Sequence, residues 1–278
     1  MPLAPTDDII AAAYAQSRGV GAFNVIQIEH AEAIVAGAQR AGRPVILQIS
    51  ENTVRYHGSL APIGLASLAL ARSATVPVAV HLDHAESAGL VREAAGLGFT
   101  SVMFDASRLP YEENLARTRA VTEECHRADV FVEAELGAIG GKDGAHAPGV
   151  RTDPDEARQF ASATGVDALA VAVGSSHAMG TRDAVLDFGL IGRLRSSLGI
   201  PLVLHGSSGV SDDDLAKAVA AGMTKVNIST HLNRLFTGAV RRGLEAEPAT
   251  SDPRGYMGAA RAATAAEVAR LLDVLAGG

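Results

Sequence analysis

Histidines and carboxylates gather where short apolar runs give way to loops. In order, the runs end at Asn24, at Ser50, in His81-Leu82-Asp83-His84, at Asp105, at Glu133 and Glu135, in Gly174-Ser175-Ser176-His177, in His205-Gly206-Ser207-Ser208-Gly209, and at Asn227, Ser229 and Thr230. A lone histidine at such a place is as ordinary a cap as a ligand. Three of them, His84, His177 and His205, with Asp83 adjacent to one, predict a divalent metal centre. Neutral imidazoles with an open fourth position suit catalytic zinc. Asp105 and Glu135 are expected beside it, as hydrogen-bonding partners of ligands or as ligands of a second position. Their bland alternative is a loop cap or an ion pair. Asp83, next to a ligand, is a natural proton donor and acceptor. Side chains alternate along a strand, so Asp83 and His84 cannot both point inward unless the strand ends or twists there. His81 shares parity with Asp83 and reads as structural.

A second chemistry lies in the last two of these segments. Glycines let backbone N–H groups approach an anion, and hydroxyls and helix starts complete a cradle. The segments His205-Gly206-Ser207-Ser208-Gly209 and Asn227-Ile228-Ser229-Thr230 are therefore expected to cradle a phosphate. Together the two patterns predict a phosphorylated substrate whose carbonyl or hydroxyl meets a metal.

The elements that must position these groups follow a regular rhythm. Eight apolar runs occur: Val20–Val25, Val45–Ile49, Val78–Leu82, Thr100–Phe104, Val130–Leu136, Ala168–Val173, Leu202–Leu204 and Lys225–Ile228. Most are near-continuous, as in parallel strands covered on both faces. Helix-type segments rich in Ala, Leu, Arg and Glu lie between them, and a further one, Pro253–Leu275, closes the chain. Thr152-Asp153-Pro154 and Ser211-Asp212-Asp213-Asp214 carry helix-start signals. The pattern predicts an α/β fold, a (β/α)₈ TIM barrel spanning residues 1–278 as a single domain. A doubly wound open sheet is the rival. In a barrel, chemistry gathers at the C-terminal strand ends, and phosphate sits after strands 7 and 8. The Gly-rich stretch Gly137–Arg151 is the longest irregular segment, and a loop of that length is usually functional.

Composition closes other doors. The 278 residues are 47% hydrophobic and 20% charged, too apolar for a disordered chain. A single cysteine, Cys125, excludes a disulfide framework and fits a reducing, cytoplasmic setting. The net charge of -7 argues against nucleic acid as the main partner. No apolar run is long enough for a membrane span, and MPLAPTDDII has no leader pattern.

These segments resemble the class II, metal-dependent ketose-bisphosphate aldolases. The resemblance rests on Gly21-Ala22-Phe23-Asn24-Val25, Pro44–Ser50, His81-Leu82-Asp83-His84, Thr100–Ser107, Glu133-Ala134-Glu135-Leu136-Gly137, Leu202–Gly209, Lys225-Val226-Asn227-Ile228 and Asp252-Pro253-Arg254. They run through nearly the whole chain, and the compact length resembles the subgroup that includes tagatose-bisphosphate aldolases. The resemblance implies cleavage and formation of a fructose- or tagatose-type ketose 1,6-bisphosphate through the enediolate of dihydroxyacetone phosphate. It implies Zn²⁺ on His84, His177 and His205, with Asp105 and Glu135 at a second metal position. Asp83 would exchange a proton with the C4 hydroxyl, and Asn227 would orient the enediolate. Gly206, Ser208, Ser229 and Thr230 would bind the phosphate; Asn24 and Ser50 would line the substrate. A monovalent cation, Na⁺ or K⁺, near the carbonyls around His177 and His205 is also implied. Arg254 would approach the distal phosphate, and can do so from a neighbouring subunit of a homodimer or homotetramer.

Three positions depart from the family. Asp143 stands where the loop usually carries Glu; Ser229 stands where fructose enzymes carry Asp; Ser50–His57 departs from the usual loop after strand 2. A Schiff-base lysine is disfavoured. Only Lys142, Lys217 and Lys225 are present, and Lys225 starts strand 8 at the wrong barrel end. Two other functions compete with the aldolase. A metal-dependent barrel hydrolase usually needs a His-x-His pair that Phe23-Asn24-Val25 does not supply. A non-catalytic sugar-phosphate-binding paralogue is disfavoured by the intact Asp83 and histidines.

Overall fold

Along several strands, the residues of one parity change from apolar to polar. Phe131, Glu133 and Glu135 follow one another in this way, as do Ala79, His81 and Asp83, and Ile46, Gln48 and Ser50. In the computed structural model, which describes residues 2–136, 151–175 and 184–277, these positions face the inside of a closed barrel. Eight parallel strands pair in sequence order and β1 returns to β8: β1 (Val20–Asn24), β2 (Val45–Ser50), β3 (Val78–Ala85), β4 (Ser101–Phe104), β5 (Phe131–Glu135), β6 (Ala168–Ala170), β7 (Leu202–Leu204) and β8 (Met223–Ile228). Register aligns the interior groups: Gln48 stands beside His81, Ser50 beside Asp83, and Ala22 beside Asn227. The expected TIM barrel is therefore observed, as one domain.

Helices α1 (Thr6–Ala15), α2 (Ile28–Ala41), α3 (Glu51–His57), α4 (Ala61–Ser73), α5 (Ala88–Leu97), α6 (Tyr111–His126), α7 (Pro154–Thr164), α8 (Phe188–Leu198), α9 (Asp212–Ala221), α10 (Thr230–Ala246) and α11 (Pro253–Leu275) complete the fold. The main core lies between barrel and helices, where Leu47, Leu82, Val132 and Leu204 meet Ile34, Leu68, Phe160 and Leu194. Asp153, Asp187 and Ser211 accept N–H bonds in the first turns of α7, α8 and α9. The two start signals read from sequence thus form the caps they predict.

Two helices were not foreseen. The first is α1, whose Ile9, Ile10 and Ala13 pack beneath Val20, Ala22, Ile46, Ala79, Phe131 and Val203. That apolar layer closes the N-terminal end of the barrel. The second is α3, within the segment that departs from the family. Ser50 starts it by accepting a bond from the Thr53 N–H at 3.2 Å. Smaller shifts also occur: β6 ends at Ala170 and not Val173, and β8 begins at Met223, before Lys225. No described helix is long and apolar enough to cross a membrane.

Candidate active site

Strand β3 does not end at Asp83. It continues to Ala85 with one more residue than its neighbour: Leu82 pairs with Val102, and Ala85 with Phe104. The extra residue makes a bulge, and His84 sits in it with φ +49°, the left-handed region. A non-glycine residue there costs about 1–2 kcal/mol. That turn lets both Asp83 and His84 line the same cavity. The alternation that seemed to forbid both is broken at one backbone position. His84 Nδ1 lies 2.7 Å from Asp105 Oδ2, and Asp105 Oδ1 accepts from the Ser107 hydroxyl at 2.7 Å.

His205, directly after β7, is wholly buried and meets His84 edge-on, with ring centroids 4.8 Å apart. Its Nε2 lies 2.9 Å from Glu133 Oε1, and its Nδ1 3.2 Å from Glu135 Oε2. Burial by itself lowers the His205 pKa, but its interactions with the carboxylates of Glu133 and Glu135, which accept from the ring, outweigh it and push it up to about 9. In the metal-free protein the ring is therefore protonated, with Nε2 donating to Glu133. Below it, Lys225 Nζ donates to Glu133 Oε2 at 2.7 Å and approaches His81 Nε2 at 3.5 Å. His81 is pushed down to about 3, first by burial and then by Lys225. It is neutral, and since Nε2 faces a donor, Nδ1 carries the hydrogen that meets Ser101 Oγ at 2.8 Å. Thr6 of α1 donates to the same hydroxyl. Burial raises the Glu133 carboxyl, yet Lys225 and the bond from His205 hold it well below the usual carboxylate range.

Asp83 is oriented from two sides. Asn24 Nδ2 donates to Oδ2 at 3.1 Å, and Asn227 Nδ2 approaches Oδ1 at 3.5 Å. Gln48 in turn donates to Asn24 Oδ1 at 2.7 Å, which fixes the direction of the Asn24 amide. Burial would raise Asp83, but His84, Lys225 and His205 hold it at about 2. It is a carboxylate at neutral pH, ready to take a proton.

The cavity above these groups encloses about 240 Å³. One wall is Asn24, Gln48, Ser50 and Asn52; the opposite wall is Gly206–Ser208 with Asn227, Ser229 and Thr230. Gly206, at φ +66°, bends the chain into a turn of 3₁₀ helix over Ser207–Gly209. Ser207 donates to the Asn227 carbonyl and ties the two loops together. Ser208 Oγ accepts from the His231 N–H at 3.3 Å, and no side chain caps the start of α10 at Ser229. A helix start with its N–H groups beside glycine and hydroxyls suits an anion.

Donor atoms of Asp83, His84 and His205 lie within 4.8 Å of one another, as do those of His84, Asp105 and Glu135. Two imidazoles and three carboxylates around one space form a donor set that fits a divalent cation. Of the residues expected from sequence, Asn24, Ser50, Asp83, His84, Gly206, Ser208, Asn227, Ser229 and Thr230 line this cavity. Asp105, Glu135 and His205 adjoin it through the donor clusters. His177 and Asp143 lie outside the described residues. Arg254, at the start of α11, is 89% exposed on its own chain and paired with Asp252 at 2.6 Å. It does not line the cavity. The sequence reading placed Glu133 at the rim without a role, and missed Gln48 and the inward reach of Lys225. Lys225 does not stand idle at the far end of the barrel: its amine lies inside, 1% exposed. The signal was its parity with Asn227, two residues on.

The profile of the family described as fructose-bisphosphate aldolase class-II matches residues 4–277. Among solved structures, the YdjI aldolase from Escherichia coli K12 is 30% identical, with TM-score 0.88, and the alignment covers 99% of this chain and 98% of that one. A candidate fructose-1,6-bisphosphate aldolase from Coccidioides immitis is 28% identical, with TM-score 0.86, covering 98% and 96%. The fructose-bisphosphate aldolase of Campylobacter jejuni shares the fold at 21% identity, with TM-score 0.78, covering 98% and 94%.

Proposed function

The chain belongs to the class II fructose-bisphosphate aldolase family, and we propose that it cleaves and forms a ketose 1,6-bisphosphate of fructose or tagatose type with a bound divalent metal. One observation carries this reading: Asp83 and His84 share a cavity with the paired loops at Gly206–Ser208 and Asn227–Thr230. His84, His205 and His177 would hold the metal, with Asp105 and Glu135 beside them. Zinc, when bound, would supply the positive charge that withdraws electrons from the ketose carbonyl.

The chain's own residues do the rest. Gly206, Ser208, Ser229 and Thr230 bind the phosphate next to the carbonyl carbon. That anchors the substrate with C4 towards Asp83, which Asn24 and Asn227 hold in place. In cleavage, the C4 hydroxyl gives its proton to the Asp83 carboxylate, a C=O double bond forms at C4, and the C3–C4 pair stays on C3. Asn227 also contacts the three-carbon fragment so formed. Asp143 returns a proton to C3, releasing dihydroxyacetone phosphate. In synthesis the order reverses. Arg254, away from its own cavity, reads the distal phosphate in a neighbouring copy of a homodimer or homotetramer. A guanidinium suits that role because it is always charged and grips phosphate through two bonds.

The direct test is to incubate zinc-loaded protein separately with fructose and tagatose 1,6-bisphosphates and detect triose phosphate. Release from at least one, lost on chelation and restored by zinc, is the expected result. Undiminished activity in metal-free protein would overturn the metal, and no cleavage of either sugar would overturn the substrate class.

A further inference from the structure

A buried lysine and glutamate inside a barrel need a reason. Withdrawing both charges from water costs more than their attraction commonly returns, and an apolar pair of similar size is often as stable. Lys225 and Glu133 are 1% and 0% exposed, yet they occupy the layer directly beneath His205. Glu133 uses both oxygens: Oε2 accepts from Lys225 at 2.7 Å, and Oε1 meets His205 Nε2 at 2.9 Å. Lys225 cannot swing away, because His81, itself tied to Ser101, stands on its other side.

We propose that Lys225 and Glu133 are positioning residues for the metal centre. Lys225 pins one oxygen of Glu133, and the other oxygen holds His205 Nε2, so that Nδ1 is the nitrogen presented to the cluster of His84, Asp83 and Glu135. The inference rests on the metal-dependent reading above and adds to it two residues that touch neither metal nor substrate. An imidazole can bind metal through either nitrogen, and a fixed acceptor on one commits the other. Without the acceptor, the His205 ring can turn about its side-chain bonds, and the centre loses its preset geometry. The barrel retains an ion pair there because an apolar pair would pack equally well but leave Nε2 without direction.

The test compares metal binding, which needs no substrate. Lys225→Met alone strands a buried carboxylate and is apt to unfold the chain, so the informative variant removes both charges. Lys225→Met/Glu133→Leu should still fold cooperatively, metal-free, with a melting temperature lowered by no more than the loss of the one bond from His205 Nε2. Its zinc affinity, by competition with a chromophoric chelator, should fall about 10- to 100-fold. Lys225→Met/Glu133→Gln restores a neutral acceptor beneath His205, and should recover most of the affinity and the wild-type absorption spectrum of the Co²⁺-loaded protein. Wild-type affinity and Co²⁺ spectrum in the leucine variant would overturn the positioning role while leaving the metal centre intact. A folded leucine variant with weakened binding that the glutamine variant does not recover would overturn it too, reducing the pair to packing. If wild-type protein takes up neither zinc nor Co²⁺, the metal reading itself fails, a result separate from the other two.

Discussion

His84 and His205 face each other across the candidate metal centre, and they are held in opposite ways. His84 is set by its backbone: a bulge in β3, a left-handed φ and one carboxylate, Asp105. Its side chain is 18% exposed. His205 is set by side chains, wholly buried above Glu133 and Lys225. The first arrangement stores local strain at the mouth of the barrel. The second invests in buried polarity. A site with both has one ligand tied to chain direction and one tied to the interior. His30, on α2, supplies the control. It too is buried, but it packs against Phe236 at 4.6 Å with both ring nitrogens lacking a hydrogen-bond partner. Burial alone pushes it down to about 4, whereas the glutamates carry His205 up to about 9. Burial sets the cost for an imidazole, and its partners decide the sign.

The largest effect is expected where the two sides meet. Asp83→Ala should keep the fold and metal content yet lose ~10²–10⁴-fold in turnover, as for other acid–base groups. A near-wild-type rate would show that the two histidines frame some other proton acceptor. The control imidazole comes next. His30 titrates near 6.5 unfolded and about 4 folded, so the unfolded chain takes up the proton first as pH falls. Stability attributable to it is complete above pH 6.5 and is lost between 6.5 and 4, to a total of about 3 kcal/mol. His30→Leu should flatten the denaturation midpoints of the metal-free protein over that range. An unchanged slope would mean that burial alone does not govern this ring.

The His84 side is sharpened by Asp105→Asn. It should weaken zinc binding by about 10-fold, the lower part of the range for groups that orient a ligand. A loss matching that of the Lys225→Met/Glu133→Leu variant would erase the distinction between the two sides. The smallest effect isolates the backbone. Both His84→Gly and His84→Ala remove the ring, but glycine adopts φ +49° without strain. Metal-free His84→Gly should therefore be the more stable by about 1 kcal/mol in thermal unfolding. Equal stabilities would mean that the bulge stores no strain.

Much of this was legible in the sequence, for physical reasons that differ by element. Eight strands read clearly because buried parallel strands must be apolar over nearly their whole length. The rim residues read clearly because several histidines and carboxylates gather at the same strand ends, more than capping alone requires. Asp83 and His84 were recognised as a conflict with strand alternation, but its resolution lay in one backbone torsion that no residue type announces. The α3 helix escaped because Glu51–His57 is short and polar, without a hydrophobic period. The α1 helix escaped because its apolar face is small and covers the barrel's end instead of its side. Lys225 was set aside because it starts strand 8, at the end of the barrel away from the rim. Its long side chain lies inside because Glu133 and His81 receive it there. His177 and Asp143 lie outside the described residues, so those two expectations stand on sequence alone.

The seal that α1 forms beneath the barrel has a consequence for traffic. With Ile9, Ile10 and Ala13 packed under one end, the described site cavity lies at the other, on the face that carries His84 and Asp83. On the proposed reading, a product still seated on the Ser208 and Thr230 loops would obstruct the next arrival, and turnover would be metered by clearance of that cavity as well as by chemistry within.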